Sequence, residues 1–191
     1  MMSPRSGHFR FESGHRGDRW LEPDLVLRRP MELRPFAAQL AERLQRHRFD
    51  VVCGPLTGGA FLALMVAQQC DVAFAFAERF VPPPSDALYQ VRYRVPDALR
   101  DGLRGATVAI VNDVTNAGSA ARGAYEDLLA CGAQPVAFGT LIALGRWSTS
   151  FAAEHDLALE ALERLGNNLW TPEECPLCAA GERLEDPSTV A

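Results

Sequence analysis

The chain has 191 residues and a mass of 20.9 kDa, the size of one ordinary domain at about 150 residues per domain; its 48% hydrophobic and 23% charged residues give a mean hydropathy of −0.07. That balance belongs to a soluble globular protein and excludes a disordered or collagen-like chain. All 19 basic residues are arginine and the formal charge is −5, distributed as +3 over residues 1–50 and −8 over 51–191; this excludes mechanisms that need a lysine of this chain, such as Schiff-base chemistry, and leaves no basic stripe for a nucleic-acid backbone.

In chain order, residues 1–30 are rich in Gly, Arg, Ser and Pro with little periodicity, and read as an N-terminal arm or small hood that orders by docking on something else. Ser6-Gly7-His8 recurs as Ser13-Gly14-His15, most simply a coincidence. The start lacks the apolar core of a secretory signal, and the longest apolar run, residues 60–67, falls far short of the about 20 residues that cross a bilayer. A cytoplasmic protein without membrane contact is expected, its five cysteines reduced. Residues 31–166 read as the core. Leu33, Phe36, Ala37, Leu40, Ala41 and Leu44 recur at helical spacing and predict an amphipathic helix over 31–48. A short β-branched strand (49–53) then meets Gly54-Pro55-Leu56-Thr57-Gly58-Gly59, followed by a buried helix over 60–69. Residues 72–80 predict a strand, the proline tract 81–86 an exposed loop, and 89–95 a strand with one wet face. Residues 107–111 are apolar on both faces, as in the middle of a parallel sheet; a helix over 120–130 stops at Gly132, and 135–144 is another buried strand. Residues 157–165 fit strand or helix, and 167–191 form an acidic tail with a CxxC. Alternating strands and helices predict an α/β fold, a mainly parallel central sheet flanked by helices.

Open parallel sheets bind ligands beyond the carboxyl ends of their strands, where this chain places two glycine loops. In the second, Val114, Thr115, Asn116, Ala117, Gly118 and Ser119 are mostly small residues before a helix, so successive backbone N–H groups can cradle a phosphate without a lysine. Asp113 can accept from sugar hydroxyls or help hold a Mg²⁺ carried by a phosphorylated ligand. The bland alternative is that Asp113 caps a turn and Gly118 opens a helix.

The run Val108-Ala109-Ile110-Val111-Asn112-Asp113-Val114-Thr115-Asn116-Ala117-Gly118-Ser119 resembles the PRPP-binding signature of type I phosphoribosyltransferases, here PRPP being 5-phosphoribosyl diphosphate. Gly54-Pro55-Leu56-Thr57-Gly58-Gly59 looks like that family's pyrophosphate loop. Phe9-Arg10-Phe11-Glu12-Ser13-Gly14-His15 resembles the N-terminal segment of its orotate branch, and Leu144-Gly145-Arg146 the strand end where that branch sets an arginine against the orotate carboxylate. The resemblance spans about residues 8–147 and implies transfer of 5-phosphoribosyl from PRPP to a nucleobase, orotate first, with Mg²⁺ and in a homodimer. It also implies roles. Residues 114–119 hold the 5-phosphate; Asp113 and Asn112 face the ribose hydroxyls; Thr57, Gly58 and Gly59 face the pyrophosphate; Arg79 assists there; and Ser13, Gly14 and Arg146 bind the base. Two departures weaken turnover on this reading: Asn112 replaces the first of two acids, and the lysine of the family's mobile loop is missing, leaving Arg79, Arg92 and Arg94 as candidates; Glu12 stands where a lysine is usual and puts repulsion near an anionic substrate. The alternative is a non-catalytic PRPP- or nucleotide-binding regulatory protein; a dinucleotide-binding domain lacks its Gly-x-Gly-x-x-Gly.

Cys175-Pro176-Leu177-Cys178 has the spacing of a zinc knuckle, but four ligands are needed and no second CxxC exists. The expected partners are His155, another cysteine or the same motif of a second subunit; the other reading is two reduced surface thiols. Cys53, Cys70 and Cys131 sit in apolar settings and read as core, His47 as a solvated helix end, and His8 and His15 as binding candidates on the arm.

Overall fold

The computed structural model describes residues 4–22, 27–80 and 88–187. The proline tract falls outside them. Helix α1 (Pro30–Leu44) buries Leu33, Ala37, Leu40, Ala41 and Leu44. Phe36 of the anticipated stripe points outward, 49% exposed. The helix stops short of residue 48 because Gln45-Arg46-His47-Arg48 offers no further apolar position. His47 is not simply solvated: its Nε2 meets Glu160 Oε1 at 2.9 Å.

Strand β3 (Val51–Pro55) leads into helix α2 (Gly58–Cys70) and returns as β4 (Ala73–Phe80). The strand anticipated over 89–95 shrinks to β5 (Arg92–Arg94), which lies antiparallel on β4. A four-residue helix α3 (Asp97–Arg100) and a 3₁₀ turn lead to β6 (Thr107–Thr115), helix α4 (Ser119–Ala130) and β7 (Gln134–Leu144). Helix α5 (Trp147–Glu154) precedes β8 (Ala158–Leu165), so the ambiguous segment is a strand, pairing parallel with β7. The sheet order is β5-β4-β3-β6-β7-β8, all pairs parallel except β4 with β5.

The central strands are apolar throughout because both faces are covered. Val51, Cys53, Val108 and Ile110 pack with Ala121, Ala124 and Leu128 of α4 and Phe151 of α5. Val52, Ala109 and Val111 pack on the other face with Leu33 and Leu40 of α1 and Leu62 and Val66 of α2. The crossover through α2 runs outward from β3, and that through α4 runs outward from β6. Between β3 and β6 the winding reverses, and their carboxyl ends flank a crevice there.

The arm is ordered. Strands β1 (Arg5–Arg10) and β2 (Arg16–Trp20) form an antiparallel hairpin, and β9 (Leu169–Trp170), from the chain's last segment, adds to β2. Glu185 donates its N–H to the His8 carbonyl and accepts from the Arg10 N–H, both at 2.8 Å, so the two ends of the chain share one small sheet.

Candidate active site

Strand β6 runs four residues beyond the expected Val111, which places Asn112, Asp113, Val114 and Thr115 on its last turns and the phosphate-type loop immediately after. Gly118 has φ +77°, a left-handed conformation, and the indole of Trp147 lies where a Cβ would stand, so only glycine fits. No side chain caps α4 at this point, so its first backbone N–H groups lack a capping acceptor, and Gly118, Ser119 and Ala120 line the crevice. Thr115 contributes backbone alone: it is 1% exposed and its hydroxyl donates to Thr140 Oγ1 at 3.3 Å.

The two loops touch. A Cβ on Gly58 would collide with Asp113 Oδ2, and one on Gly59 would sit 2.5 Å from Asn112 Oδ1, so the glycines let the first loop's backbone lie directly against the β6 side chains. The peptide between Leu56 and Thr57 is cis. Asp113 Oδ1 accepts from the Val114 N–H at 2.7 Å. Asn112 is buried, and its Nδ2 donates to the Val114 carbonyl at 2.9 Å, so the amide latches the start of the second loop. From sequence Asn112 reads as an uncharged group facing the ribose hydroxyls; its donation to the Val114 carbonyl shows only when the chain folds back on itself.

Around this junction lies a cleft of about 470 Å³, within the range of small-ligand pockets. Thr57, Gly58, Gly59, Arg79, Asn112, Asp113, Val114, Thr115, Asn116, Ala117, Gly118 and Ser119 all line it. The hairpin roofs it with Phe11, Glu12, Trp20 and Leu21, the rings of Phe11 and Trp20 stacked at 5.9 Å. Arg146, Ser13 and Gly14 are not among the lining residues. Arg146 is exposed at the start of α5, two residues past the lining residue Leu144; Ser13 is buried and bonded to the His15 ring at 2.9 Å; and Gly14 packs on Leu88.

Glu12 is not an unpaired repulsive charge. Arg79 Nε donates to it at 3.1 Å and the Tyr93 hydroxyl at 3.0 Å, joining roof, β4 and β5 in one polar cluster. Burial, and then the Glu12 carboxylate, hold the Tyr93 phenol well above its ordinary range, so it stays a neutral donor. Tyr93 and Tyr89 were seen in the sequence only as strand residues. The Tyr89 hydroxyl donates to the Ala117 carbonyl at 3.0 Å and supports the phosphate-type loop from below, with its ring 5.3 Å from that of His15. Half-burial, then Arg16, lower the His15 pKa.

A left-handed glycine before an uncapped helix, a second glycine loop against it and a carboxylate between them at the sheet's switch point form the arrangement on which α/β proteins bind phosphorylated ligands. Residues 28–156 match the family described as the phosphoribosyl transferase domain. The chain is 30% identical over 183 residues to the orotate phosphoribosyltransferase of Caldanaerobacter subterraneus subsp. tengcongensis, covering 96% of this chain and 89% of that one. It is 28% identical to the protein of that name from Thermotoga maritima, covering 96% and 90%. Among solved structures, adenine phosphoribosyltransferase from Thermoanaerobacter pseudethanolicus superposes with a TM-score of 0.66 at 17% identity, covering 86% of this chain and 96% of that one. Orotate phosphoribosyltransferase from Aeropyrum pernix does so at 0.62 and 20%, covering 85% and 88%. The chain belongs to the phosphoribosyl transferase family.

Proposed function

We propose that this chain transfers the 5-phosphoribosyl group of PRPP to a nitrogen of orotate and releases pyrophosphate. The observation that carries the reading is the junction of Gly58 and Gly59 with Asp113 and Asn112, directly beside the loop that ends in Gly118. The carboxylate of Asp113 lies between the two glycine loops, the arrangement a ribose with a phosphate on one side and a diphosphate on the other would need. The 5-phosphate takes backbone donors of residues 115–119 at the α4 start, the ribose hydroxyls donate to Asp113, and the pyrophosphate lies on Thr57, Gly58 and Gly59 with Arg79 beside it. The flat rings of Phe11 and Trp20 suit a planar base. Arg146 is the guanidinium we assign to the carboxylate of orotate, the substrate named in the curated relatives.

During transfer the C1–O bond to pyrophosphate breaks, its electron pair leaves with pyrophosphate, and the pair on the base nitrogen bonds to C1. Positive charge grows on the ribose meanwhile, and the Asp113 carboxylate, fixed by the Val114 N–H, is the group of this chain placed to oppose it. A Mg²⁺ fits the donor set, since that ion takes one or two carboxylates together with substrate phosphates and Asp113 abuts the diphosphate loop. When bound it neutralises charge on the leaving pyrophosphate. Asn112 brings no charge to this step and serves instead to hold the Val114 carbonyl at the start of the loop. Phe61 and Leu64, about half exposed on α2, support a homodimer, which light scattering after gel filtration checks.

The test is calorimetric titration with PRPP and Mg²⁺. Binding by the wild-type chain, abolished by Gly118→Val and weakened by Asp113→Asn, is expected. Affinity unchanged by Gly118→Val would remove the loop from the PRPP site.

A further inference from the structure

Three residues that the transfer reaction does not use meet where the chain's two ends join. His8 lies on β1, 3% exposed; Cys175 is 2% exposed; and Cys178 is exposed in the short helix α6 (Pro176–Ala179). His8 Nε2 is 3.4 Å from Cys175 Sγ and 3.4 Å from Cys178 Sγ, and the three ligand atoms lie within 4.8 Å of one another. With Zn–N of about 2.1 Å and Zn–S of about 2.3 Å, the N···S edge of a tetrahedral zinc site is about 3.6 Å. The spacing is therefore that of ligands around one ion.

The protonation pattern agrees. The partner of His8 Nδ1 is the Glu182 carbonyl, at 3.0 Å, and a carbonyl only accepts; Nδ1 therefore carries the proton and Nε2 presents its lone pair to the two sulfurs. One lone pair accepts one S–H. Two thiols at the same distance from it are poorly matched as hydrogen-bond donors, whereas two thiolates and one imidazole are well matched to a cation. The Cys178 backbone N–H donates to Cys175 Sγ at 3.4 Å, which fixes that sulfur beside His8. His155, a partner anticipated from sequence, packs instead against Tyr125 and Phe151. Of the histidines read as candidates, His8 is the one brought to the cysteines.

We propose that His8, Cys175 and Cys178 bind one Zn²⁺, with water as fourth ligand, and that the ion clips the C-terminal segment to the N-terminal hairpin. The neighbouring backbone bonds between Glu185 and His8 and Arg10 join the same two segments, so the ion closes a loop of nearly the whole chain beside the hairpin that roofs the cleft. The inference is independent of the transfer reaction.

The test uses the full untagged chain, reduced and purified without chelator, with metal measured by plasma mass spectrometry. About one zinc per chain is expected, falling below about 0.1 in Cys178→Ser and His8→Ala. Stripping the wild type with a strong chelator lowers Tm, and adding zinc restores it. Replacing zinc by Co²⁺ gives thiolate-to-cobalt charge-transfer absorption, which both variants lose. Should His8→Ala fail to fold, Cys178→Ser decides, since that side chain is exposed. Three results overturn the proposal: reduced wild type that neither retains zinc nor shows the cobalt band on addition, a Cys175–Cys178 disulfide in the freshly purified protein, or full zinc content in folded His8→Ala.

Discussion

Replacing Asn112 by aspartate separates two roles for one position. Seen as a lost charge, Asn112→Asp restores an acid beside the ribose and speeds turnover. The folded chain argues the reverse, because the Asn112 amide donates to the Val114 carbonyl at 2.9 Å in a buried setting. A carboxylate there puts two acceptors face to face and leaves the carbonyl unsatisfied, a loss of about 1–3 kcal/mol. For a domain of this size about 2–4 °C of Tm goes with each kcal/mol, so Tm at pH 7.5 falls by roughly 2–12 °C. The surrounding acceptors and Asp113 raise the pKa of the new acid, and its protonated form can donate to Val114 again. The penalty is therefore absent below the unfolded value of about 3.9, grows as pH rises, and is complete above the folded value, so the Tm gap to wild type narrows from pH 7.5 toward pH 4. Asn112→Ala, which loses the same bond without adding an acid, shows a gap independent of pH. Melts across that range, with steady-state kinetics at pH 7.5, give the readout: KM for PRPP rises and kcat does not. An unchanged Tm together with a tenfold higher kcat, about 1.4 kcal/mol of transition-state stabilisation, would refute the latch.

Asp113→Asn keeps an oxygen to accept from the Val114 N–H, so stability stays within about 1 kcal/mol in urea titrations, while kcat falls by about 10²–10³. Gly118→Ala drives a Cβ toward the Trp147 ring in a left-handed conformation and lowers unfolding free energy by about 2–4 kcal/mol, measured the same way. His15 has a lowered pKa in the fold; its contribution to stability is present above the unfolded value of about 6.5 and lost as pH falls through it toward the folded value. Melts at pH 7.5 and 5.5 should therefore show a smaller acid-side loss in His15→Gln than in wild type. Arg146→Ala raises KM for orotate and leaves PRPP affinity unchanged, read from kinetics and calorimetry side by side.

Much of this architecture was legible because its signals are local. Two-faced apolar strands such as residues 107–111 announce a covered parallel sheet, and Gly118 before an apolar-periodic helix announces the left-handed turn at the helix start. What stayed hidden depends on contacts distant in sequence. The hairpin's order comes from β9 and Glu185, about 150 residues or more away, so its own composition resembled a loose arm. Glu12 looked repulsive because Arg79 and Tyr93 meet it only across the sheet edge. Asn112 looked like a deficit because its Val114 bond needs the chain to turn. His8 was one arm histidine among two until folding set it between Cys175 and Cys178.

The central claim, phosphoribosyl transfer to orotate, is tested most directly by incubating the wild-type chain with PRPP, Mg²⁺ and, in turn, orotate, uracil and adenine, while pyrophosphate and nucleotide product are quantified together. The account predicts pyrophosphate and orotidine monophosphate formed one for one with orotate, lost in Asp113→Asn, and little product with the other bases. PRPP that binds without yielding pyrophosphate with any base, or turnover that prefers adenine, would contradict it.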